Sequence, residues 1–304
     1  METQRKIEAE GAHPLAGTRM NGADMIVQVL ADEGVDTIFG YSGGAILPTY
    51  DAVFRYNEAH AKNGVEPMPL IVPANEQGAG FMAAGYARAS GRPGVVLVTS
   101  GPGATNCVTP VRDCMADSVP IVVLCGQVAT SSIGTDAFQE APVSAIMGAI
   151  AKHVFLVTDH ERLEATMRTA FEIARTGRPG PVVVDLPKNI QNWEGVFRGS
   201  GGLPIPGYRA RLAEVEKSAL PDAKCQQFFE MLGASKRPLV YAAAASSTAT
   251  RAPHCARSRR LIGSRSRRRS WAWAPSTRPS RSRCTCSACT ALRARTMRST
   301  TATS

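Results

Sequence analysis

Short apolar runs alternate with helical patterns through the first two thirds of the 304-residue chain, and this alternation limits the possible folds most. The runs carry no polar–apolar alternation, which is typical of strands buried on both faces in a parallel sheet. Helices between such strands cover both faces of the sheet. The sequence therefore predicts an α/β fold with a doubly wound parallel sheet, with strands at 35–39, 70–72, 94–98, 120–124, 153–157 and 182–184.

Three loops that follow predicted strands contain residues suited to a ligand site. The first contains Gly43 and Gly44, the second leads to Glu76, and the third contains Gly101 and Gly103. The carboxyl ends of parallel strands share one edge of the sheet, where ligands bind in such folds. A single glycine loop only indicates a tight turn. Two glycine loops and a carboxylate at one edge favour a pocket.

Glu76 lies where a helix is predicted to begin, directly after the apolar run 70–72 and Pro73. A carboxylate there interacts favourably with the helix dipole, by roughly 0.3–1 kcal/mol. Taken alone, this segment favours a simple helix-end charge. A functional role for Glu76 depends on the other residues of the site.

The formal net charge of +10 comes from the C-terminal part of the chain. Residues 1–241 hold all 25 acidic residues and 21 of the 35 basic ones, which gives them a net charge of −4. Residues 242–304 hold 14 arginines, no acidic residue and four of the eight cysteines. Two different compositions are thus joined in one chain, and the total charge is a poor guide to a polyanionic partner.

The domain organisation follows from this division and from a Gly/Pro-rich stretch after residue 188. Cys107, Cys114, Cys125 and Cys225 lack metal-ligand spacing and are expected to be buried thiols, and no metal site is predicted. The start lacks the apolar stretch of a signal peptide, and no apolar run could span a bilayer, so we expect a cytoplasmic protein without a membrane partner. The predicted segments are a flexible N-terminus (1–20), an α/β domain (21–188), a linker (189–221), the start of a second, truncated domain (222–241) and a disordered Arg-rich tail (242–304). A helix is predicted at 222–233, where the second domain starts.

Residues 21–241 contain six distinctive motifs, namely Phe39–Ala45, Asn75–Ala79, Thr99–Asn106, Ile133–Glu140 (IGTDAFQE), Gly177–Pro181 and Asp185–Lys188. Together they resemble the large catalytic subunit of acetolactate synthase, a thiamine diphosphate enzyme. Some of them are shared widely among thiamine diphosphate enzymes, whereas Ile133–Glu140 is much more particular to acetolactate synthases.

The resemblance implies that 21–188 is a pyrimidine-binding domain for thiamine diphosphate. Glu76 would hydrogen-bond the ring nitrogen of the aminopyrimidine and favour the imino tautomer, whose nitrogen takes the proton from the thiazolium carbon. The family condenses pyruvate with a second pyruvate or with 2-ketobutyrate, with loss of CO2, in isoleucine and valine biosynthesis. The cofactor supplies the bond chemistry and the protein orients it.

The resemblance assigns further roles to single residues. Gln139 and Lys188 join Glu76 as catalytic residues, Lys188 at the substrate entrance, and Arg178 would contact FAD. From the residues alone, Lys188 is equally typical of a solvated lysine, Arg178 of a strand-edge charge and Gly44 of a plain turn. The implied cofactor-binding residues are Gly43, Gly44, Glu76, Gly101, Gly103, Asn106, Phe138 and Arg178.

The intact family uses more than this domain. A C-terminal domain holds the diphosphate and Mg²⁺, and the active site forms between two subunits of a homodimer or larger homo-oligomer, with a regulatory small subunit. We find no such domain in the sequence and expect a truncated chain that is inactive alone. Ser42 stands where the family usually has proline, and Ala74-Asn75 where it has arginine and histidine, so substrate preference is left open.

The tail suggests a change of reading frame near Ala242. Codons that encode Cys284–Ala291, shifted by one base, can encode Leu-His-Met-Leu-Gly-Met-His-Gly, which is typical of the family's middle domain. The codons of Trp271–Ala274, shifted in the same way, can encode Met-Gly-Met-Gly.

Three alternatives to a truncated acetolactate synthase are another thiamine diphosphate carboligase or decarboxylase, an inactive fragment that acts only as a binding domain, and a basic-tailed nucleic-acid binder. The last is disfavoured.

Overall fold

The computed structural model describes residues 13–62, 66–217 and 221–235, and the backbone of two short strands at 240–242 and 266–268. The chain divides into two compact units, Met1–Ile205 and Pro206–Ser304.

A parallel sheet forms the centre of the first unit. The strands described there are β1 (Arg19–Asn21), β2 (Ile38–Tyr41), β3 (Leu70–Ile71), β4 (Gly94–Val98), β5 (Ile121–Gln127), β6 (His153–Leu156), β7 (Val182–Pro187) and β8 (Glu194–Val196). Strands β2 to β7 form one sheet in the order β3-β2-β4-β5-β7-β6, and every neighbouring pair is parallel. The predicted α/β fold with a parallel sheet is confirmed.

Helices cover the sheet and connect its strands. The helices described in this unit are α1 (Gly22–Asp32), α2 (Leu47–Ala61), α3 (Glu76–Ser90), α4 (Pro102–Asn106), α5 (Val108–Asp117), α6 (Val143–Gly148), α7 (Leu163–Arg175) and α8 (Lys188–Asn192). Helices α4 and α5 meet at Cys107, between β4 and β5.

The two faces of the sheet pack against different helices. Val96 and Val98 of β4 share a buried cluster with Ala83 of α3 and Val111 of α5. The alternate residues of β4 are equally buried but lie outside that cluster, as the two-residue period of a strand requires. Helix α7 contacts β5, β6 and β7, and α1 contacts α2 and α7. The sheet is therefore covered on both sides, which is why its inner strands β4, β5 and β7 are buried along their whole length.

An antiparallel ribbon of β1 and β8 extends the first unit beyond the predicted domain boundaries. Arg19 lies opposite Val196, and Asn21 opposite Glu194. The next residue, Phe197, is fully buried and exchanges backbone hydrogen bonds of 2.9 Å with Gly17 and Thr18. Part of the predicted flexible N-terminus and the first half of the predicted linker thus belong to the compact unit, which reaches Ile205.

The second unit contains the helices α9 (Tyr208–Lys217) and α10 (Asp222–Gly233) and the strands β9 (Val240–Ala242) and β10 (Ser266–Arg268). Strands β9 and β10 pair in parallel. Helix α10 matches the helix expected at the start of a second domain. Apart from β9 and β10, the predicted disordered tail and frame change lie outside the described residues. None of the helices in the described part of the chain is long and apolar enough to cross a membrane.

Candidate functional site

The predicted site loops lie at one edge of the sheet. The loops after β2, β3 and β4 carry Gly43–Gly44, Glu76 and Gly101–Gly103, and those after β5 and β7 carry Phe138–Gln139 and Lys188. This edge is formed by the carboxyl ends of the strands, because every pair in the sheet is parallel.

Glu76 is buried at the start of α3. Asn75 caps this helix, since its side-chain oxygen accepts a hydrogen bond of 2.8 Å from the Gly78 amide. Glu76 is only 8% exposed. Its Oε2 accepts a hydrogen bond of 2.8 Å from Asn106 Nδ2. Among the described residues, Oε1 has no hydrogen-bond partner, yet it is not a fully enclosed atom. One oxygen is thus held by the protein, and the other remains available as an acceptor.

The third loop packs closely against this carboxylate. A methyl group added at Gly103 would lie 2.8 Å from Thr99 Cγ2 and 3.5 Å from Glu76 Oε1. A larger residue at position 103 would therefore narrow the space beside the open oxygen. The Cys107 thiol donates a hydrogen bond of 3.8 Å to the backbone carbonyl oxygen of Glu76.

Neighbouring groups respond to the negative charge of Glu76. Burial, with a smaller effect of this charge, raises the pKa of the Cys107 thiol to about 12. The same two causes raise the pKa of Tyr50, whose hydroxyl donates to the Leu97 carbonyl at 3.2 Å. Both groups stay neutral near pH 7. The Glu76 carboxylate thus lies in a poorly solvated setting, where electrostatic interactions are strong.

The two glycines of the first loop have different surroundings. A methyl group at Gly43 would lie 2.5 Å from Thr99 Cβ, whereas one at Gly44 would meet nothing within 4 Å. The hydroxyl of Thr99 also accepts a hydrogen bond of 3.3 Å from the Ala45 amide. Gly43 is therefore needed for packing against Thr99. Gly44 borders open space, where a ligand can approach the backbone.

Gln139 lies directly beside the third loop. Gly101 has a positive φ of 51°, and a methyl group there would lie 2.4 Å from the Gln139 carbonyl oxygen. Phe138 is 88% exposed. A continuous series of contacts therefore leads from Glu76 through Gly103 and Gly101 to the loop that carries Phe138 and Gln139.

Lys188 lines a separate cavity of about 430 Å³ at the same edge, together with Asn21, Leu47, Asp51, Arg55 and Gln191. Gln191 is fully buried and donates to the Ala45 carbonyl at 2.8 Å, which connects this cavity to the first glycine loop. Lys188 is exposed and forms no ion pair within the described part of the chain. The structure brings Lys188 to the predicted edge without direct contact with Glu76.

Arg178 lies away from the other predicted site residues, before β7, at the opposite edge of the sheet. Its guanidinium donates to the carbonyls of Met115 and Ala116 at 2.7 and 3.1 Å and to the Ser118 hydroxyl at 2.9 Å. These bonds satisfy the carboxyl end of α5, so the side chain has a structural role there.

The contacts of two further polar residues could not be predicted from the sequence. Thr99 begins one of the motifs, but it packs between the two glycine loops, and its partner loop is distant in sequence. Gln127 lies three residues beyond the predicted strand 120–124, at the end of the longer observed β5. Its Nε2 donates to Asp185 Oδ2 at 3.1 Å and to the Ala141 carbonyl at 3.2 Å.

Comparison with known proteins defines the class. Residues 20–149 match the N-terminal TPP-binding domain of thiamine pyrophosphate enzymes. Residues 20–149 therefore form a domain of the N-terminal TPP-binding type found in thiamine pyrophosphate (thiamine diphosphate) enzymes, and the expected domain type is confirmed.

Within that class, the similar proteins are catalytic subunits of acetolactate synthase. The mitochondrial catalytic subunit of Saccharomyces cerevisiae is 50% identical over 186 residues, which make up 61% of this chain and 26% of the relative. The isozyme 2 large subunit of Escherichia coli is 45% identical over 222 residues (73% and 37%). The large subunit of Corynebacterium glutamicum is 42% identical over 227 residues (74% and 34%). The resemblance predicted from the motifs is confirmed.

The chain spans about a quarter to a third of the length of these relatives. The site residues fit the pyrimidine half of the cofactor. Glu76 Oε1 is an acceptor without a hydrogen-bond partner among the described residues, and a methyl group added at Gly44 would meet no atom within 4 Å, so a ligand can approach the backbone there.

Proposed function

We propose that this chain is the N-terminal, pyrimidine-binding part of an acetolactate synthase catalytic subunit. The whole protein would join two 2-keto acids, with loss of CO2. The observation that carries the proposal is the buried Glu76 carboxylate, with Oε2 held by Asn106 and with Oε1 unpaired among the described residues, beside Gly103. When bound, thiamine diphosphate supplies the carbanion chemistry of such a reaction.

The residues of this chain would orient the cofactor and exchange one proton. Glu76 Oε1 would share a proton with the pyrimidine ring nitrogen, because it is the unpaired oxygen of the carboxylate. Asn106 would fix the carboxylate plane through its hydrogen bond to Oε2. Thr99 and Gly103 would keep water from the space beside Oε1.

The substrate would meet a different part of the edge. Phe138 offers an exposed aromatic side chain to the carbon chain of a 2-keto acid, and Gln139 a polar group. Lys188 offers an exposed cation that suits the substrate carboxylate near the entrance. The contacts between Gly101 and Gln139 support a site that continues from Glu76 to these residues.

The further partners of the relatives are part of the same proposal. We infer that the complete protein also needs Mg²⁺, FAD, a homo-oligomer and a small regulatory subunit. The names of the relatives as large or catalytic subunits support the last of these. A role of Arg178 toward FAD stays a prediction. Its hydrogen bonds to the end of α5 would have to be shared with the cofactor.

A second thiamine diphosphate reaction on 2-keto acids is the alternative. It is favoured by the departures next to Glu76, where Asn75 serves as the helix cap. The two functions differ in their product from pyruvate, acetolactate for the first and a different ligation or decarboxylation product for the second.

A chimera tests the proposal. Residues 21–188 would replace the corresponding segment of the E. coli large subunit, and acetolactate formed from pyruvate would be measured. Glu76→Gln should lower the rate by about 100-fold or more, the usual contribution of an acid–base group. Glu58→Gln is the matched control, because Glu58 is exposed on α2 and, among the described residues, its one ion pair is with Lys62. A chimera that stays active with Glu76→Gln would rule out the proposal, and a different product from pyruvate would favour the alternative.

A further inference from the structure

The loop of residues 133–141 has a backbone that its sequence does not favour. Asp136 and Gln139 have positive φ angles of 56° and 57°, and Gly134 has one of 85°. Non-glycine residues rarely adopt this conformation unless the surroundings hold them there. Something must therefore keep the 133–141 loop in place.

The carboxylate of Glu140 occupies the centre of this loop. The Gly134 amide donates to Oε1 at 2.5 Å and the Ala137 amide to Oε2 at 3.1 Å. The amides of Thr135 and Asp136 also favour the charged form, so the pKa of Glu140 is lowered, first of all by the Gly134 bond. Successive amides that converge on one anion form the arrangement known as a nest, here filled by a side chain of the same loop.

Two contacts tie the loop to the rest of the site. The Ala141 carbonyl accepts from Gln127 Nε2 at 3.2 Å. The Gln139 carbonyl lies against Gly101, which leaves no room for a side chain at that position. Phe138 lies between these contacts and is 88% exposed, so few side-chain contacts fix its direction. The backbone of the loop is left to determine where Phe138 and Gln139 point.

We propose that Glu140 is a positioning residue: its carboxylate organises the amides of the 133–141 loop and so aims Phe138 and Gln139 at the 2-keto acid substrate. The inference rests on the proposed function for the identity of that substrate. The holding of the loop itself does not depend on it. Glu140 acts through the backbone and makes no contact with substrate or cofactor.

Hydrogen exchange in the full chain tests the holding of the loop. Glu140→Gln removes the charge and one of the two acceptor oxygens and keeps the shape of the side chain. Millisecond amide exchange at residues 134–137 should become at least about tenfold faster, because charge-assisted hydrogen bonds are lost. Exchange in β4 and β5 should not change. Glu58→Gln should leave all of these rates as in the parent chain. Equal rates in Glu140→Gln and the parent would overturn the proposal.

A second variant guards against a general loss of folding. Glu140→Asp keeps the charge on a shorter side chain and should give a smaller acceleration than Glu140→Gln in the same amides. If both variants accelerate exchange throughout β4 and β5 as strongly as at 134–137, Glu140 serves the whole fold and the proposal is wrong.

The active chimera tests whether Glu140 determines the orientation of the Phe138 and Gln139 side chains. Glu140→Gln should raise KM for pyruvate, or shift the choice between pyruvate and 2-ketobutyrate, by about fivefold or more, since a bound substrate needs accurate orientation. The affinity for thiamine diphosphate should stay the same, because Glu76 is untouched. An unchanged KM and unchanged preference, beside a loosened loop, would overturn the positioning role. A chimera that makes no acetolactate even with Glu140 intact would instead count against the proposed function.

Discussion

The two oxygens of the Glu76 carboxylate have different surroundings. Oε2 is bound to Asn106, and Oε1 is open, while the group as a whole is 8% exposed. A buried carboxylate is costly unless it is hydrogen-bonded, and the start of α3 adds a favourable helix dipole. The helix-end charge and the functional group are thus the same residue. The helix dipole helps to stabilise the buried carboxylate that the proposed function requires.

Neighbouring glycines give a direct test of which positions serve packing and which serve a ligand. Gly43→Ala should destabilise the chain by about 1–3 kcal/mol, because the added methyl would clash with Thr99 at 2.5 Å. Gly44→Ala should change the free energy of unfolding by no more than about 0.5 kcal/mol, because the methyl would enter open space. Urea unfolding of both variants measures the difference.

The same pair separates folding from cofactor binding. In the active chimera, Gly44→Ala should weaken thiamine diphosphate binding although the protein remains as stable as its parent. Equal losses of stability in Gly43→Ala and Gly44→Ala would contradict the assignment of the two glycines.

The identity of the site residues could be predicted from the sequence better than their individual roles. Glu76, Gly101 and Gln139 fall in recognisable motifs after strands, and the structure brings them together. The packing role of Gly43 could not be predicted, because its partner, Thr99, follows another strand. The bonds of Arg178 to the end of α5 were hidden for the same reason.

At the scale of elements, β5 and β7 share a buried polar pair. Cys125 lies opposite Asp185 across the two strands, and Gln127 reaches Asp185 Oδ2 from two residues further on. Asp185 Oδ1 is buried without a partner among the described residues. Burial raises the pKa of Asp185 to about 7, against a smaller lowering by the Gln127 bond. Gln127 connects Asp185 to the 133–141 loop through the Ala141 carbonyl. Because Oδ1 is unpaired, ionisation of the buried Asp185 carboxyl group is costly.

The raised pKa of Asp185 determines how the free energy of unfolding should depend on pH. The folded chain keeps the Asp185 proton between about pH 4 and 7, where the unfolded chain has released it. The free energy of unfolding should therefore fall as the pH rises through this range and level off above it. Asp185→Asn should remove this slope. At pH 8 the variant should be more stable than its parent by up to a few kcal/mol, since each tenfold change in an acid dissociation constant on folding corresponds to about 1.4 kcal/mol.

Urea unfolding between about pH 4.5 and 8 measures this slope through the linkage of proton binding to folding. Glu58→Gln is the control, because an exposed carboxylate should leave the slope unchanged. If Asp185→Asn keeps the slope of the parent chain, Asp185 is not the group responsible.

Elements with a strong local pattern could be predicted, and those made by distant pairing could not. Strand β4 and helix α10 begin and end where the sequence indicates, since glycines, prolines and apolar period define them locally. Strand β8 lies in a stretch that resembles a linker, and it forms because β1, far away in the chain, offers its edge. The buried Phe197 is the one local sign of that packing.

At the scale of the whole molecule, two kinds of sequence meet in one chain. The first unit has a balanced composition, a complete parallel sheet and the TPP-binding domain. Residues 242–304 have 14 arginines and no acidic residue. That composition is far from the average of globular domains. The alignments with the E. coli and C. glutamicum subunits cover 73–74% of the chain, about the share taken by residues 21–241.

A change of reading frame near Ala242 explains both observations, and the coding DNA tests it. Shifted by one base, the codons of Cys284–Ala291 can give Leu-His-Met-Leu-Gly-Met-His-Gly, and those of Trp271–Ala274 can give Met-Gly-Met-Gly. Degenerate codons make a single match easy, but matches in the order of the family's middle domain require the actual bases to agree at every codon. We expect the neighbouring frame to encode a sequence similar to acetolactate synthase from about codon 242 onward. Peptide mass spectrometry of the natural product should then detect this sequence in place of the arginine-rich one. Stop codons or unrelated residues in the neighbouring frame would show that the arginine-rich segment is the true continuation of the chain.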